Sequence, residues 1–84
     1  MEIDIKDKIL KDFGTQAAIA IELIDQFEAK MKLSPRISRC IVHLANGDIL
    51  KLKESIKDAE TDWRDIILLA ENVPFEFNKP FKLQ

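Results

Sequence analysis

Glycine, cysteine, histidine and tyrosine are nearly missing from this 84-residue chain, which holds two Gly, one Cys, one His and no Tyr. Each scarcity removes a class of chemistry. Two glycines, Gly14 and Gly47, cannot make a glycine-rich phosphate loop. A single cysteine, Cys40, cannot close an internal disulfide, and the lone His43 has no second histidine or cysteine at a metal-binding spacing. No apolar run approaches the roughly 20 residues that span a bilayer. The stretch from Met1 to Lys11 alternates charged and aliphatic residues and lacks the apolar block of a signal peptide, so the cytosol is the expected compartment and no membrane is expected as a partner.

What is present is an ordinary globular balance, 46% hydrophobic and 33% charged, in a length that supports one buried core. The net charge of -2 is too slight for a dedicated nucleic-acid binder, but the charges are unevenly placed. Acids dominate residues 1 to 29 and 58 to 84. Between them stand Lys30, Lys32, Arg36, Arg39, Lys51, Lys53 and Lys57 against only Asp48 and Glu54.

Apolar spacing predicts helices almost throughout. Ile5, Ile9 and Phe13 recur every four residues, with Leu10 beside them, predicting a helix from about Asp4 that Gly14 ends. Thr15 is the expected cap of a second helix running to about Lys32. Its buried stripe is Ala17, Ala20, Ile21, Ile24, Phe27 and Met31, and Ala18, Ile19 and Leu23 widen the apolar arc enough to predict a central position. Ser34-Pro35 opens a third helix, and Asn46-Gly47 closes it. Its predicted buried face is Ile37, Cys40, Ile41, Leu44 and Ala45, with Arg36, Arg39 and His43 on the opposite, solvated side.

After Asp48, a capping residue, the positions Ile49, Leu52, Ile56, Ala59, Trp63, Ile66 and Ala70 form one seam. A rod of that length outgrows so small a domain, so a break is expected near Glu60 to Asp62, with Thr61 or Asp62 capping a new helix. Pro74 and Pro80 then exclude regular helix, and Val73, Phe75 and Phe77 alternate as an extended segment would. The expected fold is therefore all-α: a compact four- or five-helix bundle over residues 1–72, with an extended aromatic tail over 73–84 packed on the bundle or on a partner.

Candidate chemistry is thin. Asp58, Asp62 and Asp65 fall at helical-neighbour spacing and could hold a cation or share acid and base roles, but capping and dipole pairing explain them better. A Cys40–His43 nucleophile and base would have to share one side of one helix; a small buried thiol and a partly exposed histidine are the preferred reading. No catalytic residue, metal or cofactor is expected.

The run Arg39-Cys40-Ile41, Leu44-Ala45-Asn46-Gly47-Asp48, Asp62-Trp63-Arg64-Asp65-Ile66 and Ala70-Glu71 resembles a family of small, uncharacterised bacterial proteins. The resemblance implies a compact helical bacterial protein and carries no activity or site residue with it. The function expected from the residues is non-catalytic protein binding, with another protein or a second copy as partner. Its contact surface would join the basic face of Arg36, Arg39 and His43 to the aromatic tail residues Phe75, Phe77 and Phe81. An immunity protein or antitoxin neutralising a basic partner is one alternative. Weak nucleic-acid binding through the basic 30–57 segment is the other.

Overall fold

In the computed structural model, which describes residues 1–72 and 76–81, the chain runs through α1 (Ile3–Phe13), a 3-10 turn (Gly14–Gln16), α2 (Ala17–Met31), α3 (Pro35–Ala45) and α4 (Ile49–Ala70). Every regular element among the described residues is helical, as the apolar spacing predicts. The helices range from 11 to 22 residues, and the longest is bent, at the break expected near Glu60 to Asp62.

The bend keeps α4 within the size of the molecule. A straight helix of 22 residues would measure about 33 Å, more than the molecule's longest dimension of 29 Å. At Asp62 the backbone leaves the helical region (φ -154°, ψ 99°), and the Asp62 carboxylate accepts from the Arg64 N–H at 3.1 Å, capping the turn after the bend. Thr61 does not cap; its hydroxyl donates back to the Lys57 carbonyl. Asp48 caps the start of α4 as expected, its Oδ1 accepting from the Leu50 and Lys51 amides at 2.8 and 3.1 Å.

The core holds Ile5, Ile9 and Phe13 from α1, Ala17, Ala20, Ile24 and Phe27 from α2, Ile37, Cys40, Ile41, Val42 and Ala45 from α3, and Leu52, Ala59, Ile66 and Ala70 from α4. Four expectations need correction. The central helix is α3, where Ser38, Arg39 and Val42 are buried as well, whereas Ala18 and Ile19 of α2 face solvent. Thr15 belongs to the 3-10 turn, so α2 starts behind Gln16 without a side-chain cap. Ser34 precedes α3 with no side-chain cap bond, leaving Pro35 as the start signal. Trp63 is 39% exposed, because the bend one residue earlier tilts it to the rim of the seam.

Residues Asn46 (φ 48°) and Gly47 (φ 83°) reverse the chain between α3 and α4. A β-carbon on Gly47 would sit 2.5 Å from the Asp12 carbonyl oxygen, so the turn abuts the end of α1 and only glycine fits there. Gly14 also has positive φ (53°) but opens onto free space. Gly47→Ala should accordingly cost more than about 1 kcal/mol of stability in urea unfolding, and more than Gly14→Ala, which meets backbone strain alone.

Candidate functional site

Helix α3 carries the basic residues at three- and four-residue spacing, and the fold gives each a different partner. Near the start of α3, Arg36 reaches the end of the antiparallel α4. Its Nε and Nη2 donate to the two carboxylate oxygens of Glu71, the Nε contact at 2.6 Å, in a bidentate fork. Bonding from Arg36 holds the Glu71 carboxyl below its usual range against a smaller opposing effect of burial.

One turn later Arg39 is only 5% exposed. Its Nε and Nη2 donate to the Asp4 carboxylate of α1 at 3.0 and 3.1 Å, and its Nη1 donates to the Phe77 carbonyl at 3.3 Å. Asp4 in turn accepts from the Phe81 N–H at 3.0 Å. Burial pushes the Asp4 carboxyl up, but the bonds from Arg39 and Phe81 and the charge of Arg39 outweigh it, and the net shift is downward. The Arg39 part of the face expected to be solvated is thus covered, by α1 and by the C-terminal segment, while Arg36 and His43 stay partly exposed.

His43, one turn further on, is partly exposed, as expected of it. Its ring lies 5.0 Å from the ring of the fully buried Phe77, tilted by 59°, and Phe77 meets Phe81 edge-on at 6.4 Å. Lys8 of α1 sits 5.9 Å above the Phe81 ring and pairs with Asp12 at 2.8 Å. Of the residues expected at a contact surface, Arg39, His43, Phe77 and Phe81 are therefore gathered together within the fold, and Arg36 stands apart with Glu71. Phe75 lies outside the described residues.

The remaining chemistry is dispersed. Cys40 points toward Glu71 (Sγ to Oε2, 3.9 Å) rather than toward His43, and burial, with the Glu71 charge beside it, pushes the thiol up to about 12. A thiol so shifted is no nucleophile at neutral pH. Asp62 is spent on its cap and on Arg64, while Asp58 and Asp65 are exposed. Among the described residues no group of three or more His, Cys, Asp or Glu is placed to hold a metal ion. Two surface hollows, of about 370 Å³ by Met1, Glu2, Glu28, Leu33 and Pro35 and of about 390 Å³ by Gln16 and residues 46–50, include none of these side chains. No described helix is long and apolar enough to cross a membrane.

The surface that the apolar spacing overlooked is on α4. Of the large apolar residues left exposed, Leu50, Trp63, Leu68 and Leu69 all belong to this helix. Leu68 and Leu69 are 74% and 60% exposed, and both neighbour the exposed Asp65 by helical spacing. The signal was available: Leu50, Leu68 and Leu69 are the leucines of this segment that fall off its buried seam. No protein-family model matches the sequence, and neither a curated protein nor a solved structure shows significant similarity to it.

The Arg39 cluster is testable through stability. Arg39→Ala strands the Asp4 carboxylate and should cost about 3–5 kcal/mol in urea unfolding, whereas Asp4→Asn with Arg39→Met, which removes both charges, should cost less than that single change. Burial, with Lys8 nearby, lowers the pKa of His43 against a smaller opposing effect of Asp12. Its neutral form is therefore favoured by folding. Stability should hold above pH 6.5 and decline as pH falls toward 5, and His43→Gln should flatten that decline in urea titrations at each pH.

Proposed function

We propose that the protein acts without catalysis, as a protein-binding module whose contact surface is the outer side of the last two turns of α4. The observation that carries this reading is the consecutive pair Leu68 and Leu69, exposed beside Asp65 on the part of α4 that follows the bend and is capped by Asp62. Exposed apolar residues scattered singly are ordinary; adjacent leucines on a rigid helix provide apolar anchors with a charged neighbour to orient a partner. The surface differs from the one expected from the sequence. Arg39 and Phe77 are consumed inside the fold, and Arg36 keeps a place at the edge through its pair with Glu71.

Nucleic-acid binding through the 30–57 segment draws less support, since the planar forks of its two arginines, Arg36 and Arg39, are occupied by Glu71 and Asp4. The test is affinity capture in the native host, with the bound proteins identified by mass spectrometry, using wild type and Leu68→Glu/Leu69→Glu. Both positions are solvent-exposed, so the fold should change by no more than about 0.5 kcal/mol apiece. A protein recovered by wild type and lost by the variant is the expected result. Identical recovery by both removes this face from the reading.

A further inference from the structure

Parts of the two halves of the surface expected from the sequence meet each other: Arg39 and His43 of α3 contact Phe77 of the C-terminal segment. Residues 76–81 lie against α1 and α3 through two aromatic side chains four residues apart and through two main-chain groups. The Phe77 carbonyl takes the Nη1 of Arg39, and the Phe81 amide gives its hydrogen to Asp4. Between these anchors Asn78, Lys79 and Pro80 stay exposed. The segment is a turn rather than the extended strand expected of the tail, since the Lys79 N–H donates to the Glu76 carbonyl at 3.1 Å. It is bound as a peptide is, with side-chain sites that fix which segment binds and main-chain hydrogen bonds that hold it in place.

None of these contacts depends on the covalent path to α4. The receptor residues Asp4, Lys8, Arg39 and His43 come from helices earlier in the chain, and the same segment from another copy presents identical groups. We propose that the groove between α1 and α3 is a peptide-binding site occupied by the chain's own residues 76–81, and that it also accepts this segment from a second copy, giving a tail-exchanged dimer. The inference goes beyond the α4 surface and does not rely on it.

Competition sets when exchange occurs. A segment tethered by a short connection is present at an effective concentration on the order of millimolar, so at micromolar chain concentration the internal segment wins and wild type is monomeric. Removing that advantage requires one chain with an empty groove and another with a free tail.

The test mixes two full-length variants. Phe77→Ala/Phe81→Ala keeps the groove and disables the tail; Asp4→Asn/Arg39→Met keeps the tail and removes the groove's main-chain anchors. Each alone should be a monomer with a lowered thermal midpoint. An equimolar mixture should form a species of twice the chain mass by light scattering, with a midpoint above either component. A mixture that behaves as the sum of two folded monomers overturns the proposal.

If the Phe77→Ala/Phe81→Ala chain does not fold alone, a synthetic peptide of residues 74–84 supplied at millimolar concentration should restore its helical circular dichroism. Failure to restore it overturns the proposal equally. Loss of partner capture by the α4 variant bears only on the leucine surface, so the two readings fail separately.

Discussion

The ion pair between Asp4 and Arg39 is the constraint around which the molecule closes. An arginine this deeply buried must give its hydrogens to acceptors, because an unpaired charge in so dry a place costs several kcal/mol. Asp4 takes two of them and the Phe77 carbonyl a third. Asp4 then has capacity left for the Phe81 amide. One pair of charges thereby fixes the first helix, the central helix and the C-terminal segment against one another. Phe77, the largest fully buried side chain among the described residues, is set where its ring meets His43.

The same principle accounts for the charge distribution along the chain. The basic middle and the acidic ends look like a signal addressed to an outside partner, yet the fold turns part of it inward. Arg39 pairs with Asp4 of the first acidic segment, and Arg36 and Lys30 pair with Glu71 and Glu60 of the last. Opposite charges far apart in sequence become neighbours in space, and the three pairs run along the contacts of the helices that carry them. The exposed Lys30–Glu60 pair is worth little for stability, whereas the two arginine pairs combine charge with fixed geometry.

Much of the fold was legible in local residues. Asp48, Pro35, Asn46-Gly47 and the break at Asp62 were readable because caps and turns are decided by two or three neighbouring residues and their backbone preferences. Apart from the caps expected of Thr15 and Ser34, the errors fell where a second layer decides the outcome. Ala18 and Ile19 widen the apolar arc of α2, but nothing packs over that flank, so they stay in solvent. On α3 the reverse holds: Arg39 lies on the polar side of its helix, and α1 and the C-terminal segment cover it there. Leu68 and Leu69 were passed over because the seam ending at Ala70 absorbed the apolar pattern of that stretch.

The order of short-range events was therefore largely written in the sequence: the number and rough span of the long helical segments, the turns between them, and the bend of the longest. These depend on hydrogen bonding and steric limits within a turn or two. Which faces end up dry was decided only by the tertiary structure, since burial depends on what arrives from elsewhere in the chain. A helix of alternating character can present a basic strip to water or bury it against a distant carboxylate. Its own residues are identical in both cases, and the energy that separates them lies in the partner.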